Sequence, residues 1–452
     1  MQVNATQKKP MSSAGAVAQS VAAKFAIVGI SAATGIITAR ALFPAGRGEL
    51  AAMILWPVFL ANTLTFGFPS ALTFQMRSTP KKVSQLLGAA FVLALLTSVL
   101  AIALGVSFMH SWIPQYSAKT ILYAQVLLIS APLTSLLNVG RGAFLARGDF
   151  GAANALLACS PALTLVMLIV FFLTHSLNPY TAALAYVPVG VVPVGWMMWR
   201  LGRIVRPSLR DFRSSARQLF SYGIRSYGID LCGTMALYVD QAVVVRFLMP
   251  DAMGVYVVAL SLSRMLNAFH TSVIMVLFPK AVSQPPEVVR EMTGRAMRMS
   301  TMLTACAALG IGSFGGPLLG IIYGAEYRSA GPVLRVLVIE VVLAGATLVL
   351  GQAFMALGRP GIVTALQVTG LLFVVPLMLV LVPHYGIMGA GIALLISTTI
   401  RFLFVLASFP LFLKMRVPRI LPRWEDVFFM AKTSFDAVSI FPKRLLLAED
   451  GD

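Results

Sequence analysis

Charged residues are scarce in this chain of 452 residues: Asp, Glu, Lys and Arg make up 11% of it, whereas a soluble domain carries about a quarter. Hydrophobic residues make up 58%, and the mean hydropathy is +0.86. This composition excludes an ordinary soluble domain and predicts a protein that uses lipid as its solvent. The formal net charge of +19 would suggest nucleic acid as the partner of a soluble protein. Here we expect the basic residues in loops on one side of a membrane, and no nucleic-acid partner.

Residues that carry enzymatic chemistry are also few. The three cysteines lie inside apolar runs, and the four histidines stand singly, so we predict neither a disulfide framework nor a metal site. The sequence has no G-x-x-x-x-G-K-[ST] motif, which excludes ATP hydrolysis through a Walker site. The predicted outer loops are short, which leaves little room for catalytic groups. We therefore predict a transporter with no catalytic residue and no cofactor.

Long apolar runs recur along the chain. A helix that spans a bilayer core needs roughly 20 apolar residues. The first run is too long for a signal-peptide core and has no obvious cleavage site, so we interpret it as an uncleaved first span. Twelve runs have this length: 15–39, 51–76, 84–108, 119–139, 151–173, 180–200, 220–248, 252–279, 297–321, 331–356, 362–382 and 386–413.

Basic residues are unevenly divided between the two sides of this span map. With the N-terminus inside, 25 of them fall in cytoplasmic segments and 5 on the opposite side. The positive-inside rule therefore predicts that both termini are cytoplasmic. It also supports the span count, because a missed span would disturb the alternation.

Two stretches of the first half recur in the second half. Residues 39–52 resemble 245–258 at an offset of 206, and residues 143–156 resemble 353–366 at an offset of 210. Internal duplication of this kind is typical of secondary transporters. We predict an all-α integral membrane protein with twelve transmembrane helices in two pseudo-symmetric six-helix bundles around a central cleft. The predicted organisation is a cytoplasmic N-terminal tail (1–14), a first bundle (15–200), an Arg-rich cytoplasmic linker (201–219), a second bundle (220–413) and a cytoplasmic C-terminal tail (414–452).

Three motifs resemble a known superfamily. The pattern A-R-x-L-x-P-x-x-x-G begins at Ala39, and a near copy begins at Val245. Residues 318–337 read LLGIIYGAEYRSAGPVLRVL, and Asp240 precedes the second copy. Together they resemble the multidrug/oligosaccharidyl-lipid/polysaccharide exporter superfamily. The first span has Lys24 where drug antiporters carry an acid, and peptidoglycan-precursor flippases have fourteen spans, so the polysaccharide branch is favoured.

The resemblance implies a flippase of the bacterial inner membrane. It would move undecaprenyl-pyrophosphate-linked oligosaccharide to the periplasmic leaflet for exopolysaccharide, capsule or lipopolysaccharide O-antigen. We expect a monomer, with a polysaccharide polymerase and chain-length machinery as partners. Two alternatives stay open: a cation-coupled multidrug exporter of the same superfamily, and a membrane glycosyltransferase or polymerase.

Ionisable residues inside the spans are the candidate functional residues. Each costs a few kcal/mol at mid-bilayer, so they should face a wet cavity or one another. Because guanidinium groups pair well with phosphate oxygens, we predict a cationic, substrate-binding cavity. Its candidates are Arg264, Lys24, Arg225, Arg141 and Arg401. Arg264 lies near mid-membrane and is the strongest of them; its competing role is a structural pair with Asp240 or Glu340.

Three acids are candidates for coupling or gating: Asp240, Asp230 and Glu340. Asp240 and Glu340 are candidates for proton or sodium coupling, with a structural salt bridge as the alternative. The offset of 206 places Lys24 on Asp230 of the other half, so we hypothesise that these two close the cytoplasmic side as a latch. Alternatively, Lys24 reaches the inner surface and Asp230 bonds to Arg225 or Tyr227.

Overall fold

A computed structural model describes residues 13–421 of the chain, and every regular element in that range is a helix. The predicted all-α membrane fold is confirmed. The first half contains α1 (Ser13–Thr63), α2 (Phe68–Ser78), α3 (Val83–Trp112), α4 (Ala118–Leu127), α5 (Ala131–Ala146), α6 (Phe150–Leu173), α7 (Pro179–Leu184) and α8 (Tyr186–Ile204). The second half contains α9 (Phe212–Phe247), α10 (Pro250–Arg264), α11 (Asn267–Ala281), α12 (Pro286–Ser313), α13 (Gly315–Tyr323), α14 (Gly331–Ala356) and α15 (Pro360–Leu413).

The described residues contain 8 segments that are long and apolar enough to cross a membrane, or up to 10 when each strongly bent pair counts as one span. Two of the 8 have 55 and 54 residues, far more than the roughly 20 that one crossing needs. Each contains a residue with non-helical backbone angles, Phe43 in α1 and Gly386 in α15. The chain reverses direction at both places. In α1, Ser31 and Val58 lie on either side of Phe43 and yet line the same cavity. In α15, a Cβ built on Gly389 would lie 2.1 Å from the carbonyl oxygen of Leu381, on the other side of Gly386. With both reversals counted, the helices are compatible with the twelve predicted spans.

Several predicted spans are broken where the sequence suggests continuous helices. The predicted span 51–76 is interrupted between α1 and α2, where Phe66 and Gly67 both have positive φ. In the predicted span 252–279, α10 and α11 are separated by two residues that keep helical backbone angles, so the segment continues as one span. The predicted span 297–321 bends by 79° between α12 and α13. Breaks within membrane helices are tolerated where neighbouring helices or a cavity satisfy the freed backbone groups. These breaks give the two halves the discontinuous helices of a transporter.

The repeated motif is where the two halves touch at the predicted periplasmic face. The part of α1 that follows Phe43 packs on α10. A Cβ built on Gly48 would lie 1.8 Å from the carbonyl oxygen of Pro250, and one built on Gly254 would lie 1.9 Å from that of Pro44. The contact is reciprocal, and only glycine permits this approach of two backbones. The motif is therefore explained by packing.

A second close contact joins the halves at the opposite face, between α2 and α9. A Cβ built on Gly67 would lie 2.4 Å from the carbonyl oxygen of Gly223, and one built on Gly223 would lie 2.5 Å from that of Phe66. Nearby, the Tyr227 hydroxyl donates to the carbonyl oxygen of Thr63 (2.5 Å). The halves thus touch at two levels along the predicted membrane normal, and polar cavities lie beside these contacts.

Candidate transport path

A polar cavity of about 510 Å³ lies between the two halves, next to the Gly67–Gly223 contact. We call it the inter-repeat cavity. Helices of both halves supply its polar lining: Asn62, Thr65, Ser70, Thr73, Asn138, Arg141, Asp230, Thr234 and Gln367. One cation, one acid and several amides and hydroxyls therefore share a volume typical of small-ligand sites, roughly 300–1,000 Å³.

Arg141 is the cation of the inter-repeat cavity. Its position on α5 is fixed because the next residue, Gly142, packs against α2, where an added Cβ would lie 2.7 Å from the carbonyl oxygen of Pro69. Arg141 Nε is buried and has no acceptor within residues 13–421, and Gln367 Oε1 has no donor there. Buried polar groups normally have partners, so these two indicate water or a polar ligand in the cavity.

Asp230 lines the same cavity from α9. Its carboxylate accepts a hydrogen bond from the Ser70 hydroxyl across the two halves (3.2 Å). Lys24 is exposed, and the two do not form an ion pair in this structure, so the latch stays a hypothesis. Neither alternative partner bonds to the carboxylate either, since Arg225 is exposed and Tyr227 donates to Thr63.

Arg264, the strongest predicted substrate-binding cation, is engaged by the protein itself. Its Nη2 donates to Asp240 Oδ2 (2.9 Å) and its Nη1 donates to the Leu237 carbonyl oxygen (3.0 Å). The Tyr256 hydroxyl donates to the same carboxylate oxygen (2.9 Å), and the Asp240 side chain is fully buried. Arg264 therefore forms the ion pair with Asp240 that the sequence analysis gives as its alternative role. The two side chains face each other because α9 packs against α10.

Glu340 and Arg401 complete a charge cluster with this ion pair. Glu340 accepts a hydrogen bond from the Thr398 hydroxyl (2.7 Å) and interacts electrostatically with Arg401 and Arg264. Arg401 is largely buried, and its Nε has no acceptor within the described residues. Two cations and two anions thus lie near one another, which lowers the cost of keeping each in the membrane. We call Asp240, Arg264, Glu340 and Arg401 the charge cluster.

A second cavity, of about 540 Å³, lies within the first half and is closed on one side by α10. We call it the first-half cavity. Its polar lining consists of Ser31, Thr34, Arg47, Ser130, Thr134, Ser160, Thr164, Tyr186 and Ser261. The sequence assigns Arg47 to an outer loop, yet it lines this cavity with a buried Nε that has no acceptor among the described residues. The available signal was its place inside the repeated motif, directly before Gly48.

The fold and the two cavities define a membrane transporter built from two similar halves. The family described as polysaccharide biosynthesis protein matches residues 37–332. The chain belongs to this family. The superfamily resemblance seen in the motifs agrees with this membership.

Two curated proteins are similar in sequence. A probable low-salt glycan biosynthesis flippase of Haloferax volcanii is 26% identical over 210 residues, which cover 45% of this chain and 44% of that protein. An uncharacterized membrane protein of Methanocaldococcus jannaschii is 25% identical over 255 residues, covering 52% of this chain and 49% of that protein. The chain spans about half the length of the curated relatives it matches.

Solved structures share the fold over most of the chain. The lipid II flippase MurJ in an inward closed conformation superposes with a TM-score of 0.74, at 14% identity, over 95% of this chain and 100% of that one. An inward-facing multidrug resistance transporter of the MATE family gives a TM-score of 0.69, at 18% identity, over 85% and 95% of the two chains. At these identities the likeness establishes the fold, and it agrees with the prediction of a transporter.

Proposed function

We propose that this protein is a flippase for undecaprenyl-diphosphate-linked oligosaccharide in the bacterial inner membrane, with its termini in the cytoplasm. Its product would feed the synthesis of exopolysaccharide, capsule or O-antigen. The observation that carries the proposal is the inter-repeat cavity, which combines Arg141 with amides and hydroxyls from both halves. Membership of a polysaccharide biosynthesis family and the similarity to a probable glycan flippase support it.

Arg141 would bind the diphosphate, because a guanidinium group offers a planar set of donors that match phosphate oxygens. Its buried Nε lacks an acceptor within residues 13–421, so a phosphate oxygen would replace water there. Asn138 and Gln367 would hydrogen-bond the first sugars, since amides both donate and accept. The polyprenyl chain would stay in the lipid while the head group crosses.

Translocation would proceed by alternating access. The contact between Gly67 and Gly223 would open to admit the head group, and the contact between Gly48 and Gly254 would open to release it. Both contacts bring backbones together. The contact between α1 and α10 also buries apolar side chains such as Met53 and Val257, which would separate as the halves rock. Of the three acids, Asp230 is the best candidate for proton or sodium coupling, because it lines the cavity and Ser70 is its hydrogen-bond donor.

The decisive experiment is a deletion strain analysed for lipid-linked oligosaccharide. We expect loss of surface polysaccharide and accumulation of the intermediate in the cytoplasmic leaflet, both restored by the wild-type gene. The Arg141→Gln protein, at equal expression, should fail to restore them. Arg210→Gln is the matched control, because Arg210 is exposed and lies outside both cavities. Unchanged surface polysaccharide with reduced drug tolerance would show a drug exporter instead.

A further inference from the structure

The inter-repeat cavity and the first-half cavity follow one another along the same two helical segments. On α1, Val58 lines the first-half cavity and Asn62 lines the inter-repeat cavity. On α5, Thr134 and Asn138 stand in the same relation. Each pair is four residues apart, about one helical turn. The two cavities are therefore adjacent sections of one column, roughly one turn of helix apart.

A single hydrogen bond between asparagine side chains lies at this boundary. Asn138 Nδ2 donates to Asn62 Oδ1 (3.2 Å), and Asn62 Nδ2 donates to the carbonyl oxygen of Val58 (2.8 Å). A bond between neutral amides is weak in net terms, and both partners can bond instead to phosphate or sugar oxygens. This pair therefore lies where the two cavities meet and can exchange its hydrogen bond for one to a ligand.

The two cavities have the same cationic feature at opposite ends of the column. Arg141 lines the section toward the predicted cytoplasmic face, and Arg47 lines the section toward the predicted periplasmic face. Each carries a buried Nε with no acceptor in the described part of the chain. Arg47 and Asn62 are 15 positions apart in sequence, roughly 22 Å along a helix. Arg141 lies three residues beyond Asn138, which bonds to Asn62, so about this length of helix separates the two arginines. One diphosphate could not contact both arginines at once.

We propose that Arg141 and Arg47 are successive binding sites for the diphosphate of the substrate, and that the Asn62–Asn138 hydrogen bond is the barrier between them. This inference rests on the proposed function and adds a route to it. The head group would leave Arg141, displace the asparagine hydrogen bond and reach Arg47 in the first half. The path would therefore pass through one half of the protein, toward the predicted periplasmic face.

The test uses a reporter cysteine in the first-half cavity. Cys159, Cys232 and Cys306 are replaced by Ser, Thr134→Cys is introduced, and the full chain is placed in nanodiscs. The labelling rate by an anionic methanethiosulfonate reagent is measured with and without farnesyl diphosphate as the probe. We expect farnesyl diphosphate to slow labelling and farnesol to leave it unchanged. Adding Arg47→Gln should abolish this protection, whereas Arg210→Gln should preserve it.

The barrier is tested in the same background. Asn138→Ala should raise the labelling rate of Thr134→Cys by roughly five- to tenfold, the effect of losing one hydrogen bond on an opening equilibrium. A Thr73→Cys reporter in the inter-repeat cavity should not respond to Asn138→Ala. Protection that persists in the Arg47→Gln protein, or no protection at all, would overturn the route. The deletion-strain result would stand independently, so the two proposals can fail separately.

Discussion

Asp240 and Arg264 form an ion pair between α9 and α10, with 2.9 Å between Oδ2 and Nη2. The carboxylate is fully buried, and its second oxygen has no partner within residues 13–421. Asp240 precedes the second copy of the repeated motif, so the pair lies beside the surface where the two halves meet. This position indicates that the ion pair holds α9 and α10 together.

Removing one partner of this pair should destabilise the protein. Arg264→Gln leaves a buried carboxylate without its cation, which costs about 3–5 kcal/mol in comparable pairs. The double variant Asp240→Leu/Arg264→Met should recover much of this loss, because it removes both charges. The free energy of unfolding in detergent micelles measures the effect.

The control for this experiment is Arg290→Gln. Arg290 pairs with Glu287 at 2.9 Å, but Glu287 is 69% exposed. We expect a change of less than about 1 kcal/mol there. If Arg264→Gln kept full stability and lost transport alone, Arg264 would be a substrate-binding residue, as the sequence analysis suggests.

Gly254→Ala should open the predicted periplasmic face. The added methyl group would meet the carbonyl oxygen of Pro44 at 1.9 Å, and backbone cannot yield as a side chain would. Overpacking of this kind costs about 1–3 kcal/mol. This cost would destabilise only the conformation in which the periplasmic contact is closed. A Ser261→Cys reporter should then label faster from the periplasmic side of whole cells. Gly310→Ala is the matched control, because nothing lies within 4 Å of its added Cβ.

Gly223→Ala should open the predicted cytoplasmic face and leave the periplasmic face closed. Its methyl group would meet the Phe66 carbonyl oxygen at 2.5 Å, so the contact at the predicted cytoplasmic face would be strained. Labelling of a Thr73→Cys reporter in inside-out vesicles should rise, while labelling of Ser261→Cys in whole cells should not. Equal changes on both sides would show general unfolding instead of gating.

Arg40 and Arg246 occupy equivalent places in the repeat but should differ in importance. Arg40 donates through Nε to the Ile322 carbonyl oxygen (2.9 Å) and through Nη2 to that of Ile321, at the end of α13. Arg246 is exposed and makes no hydrogen bond or ion pair with any of the described residues. Arg40→Ala should lower the free energy of unfolding by about 1–2 kcal/mol, and Arg246→Ala should leave it unchanged. Equal losses would contradict the asymmetry.

The fold was predictable because hydropathy and charge report directly on a bilayer. Apolar runs and loop charges established the membrane class, and the duplicated motif pointed to two similar halves. The breaks were less accessible. The 79° bend between α12 and α13 falls at Phe314, inside the apolar run 297–321, and hydropathy does not register it.

The candidate site was predictable only in part. The sequence predicts functional roles for Arg141 and Asp230, and the structure brings them into one cavity. The role of Arg264 depends on which side chain faces it across α9 and α10, which a one-dimensional pattern does not contain. The span map predicts a loop position for Arg47, because a span boundary does not separate loop residues from residues that line a cavity.

The reciprocal contact of Gly48 and Gly254 has the form of an isologous interface, in which the same surface of two subunits meets itself. A homodimer of one six-helix unit would bring two copies of the same glycine together in this way. Joining two such units through the segment between α8 and α9 would leave this contact unchanged. After such a joining, the two halves would change separately. Arg47 occurs in the first half only, because the equivalent position in the second half is Met253.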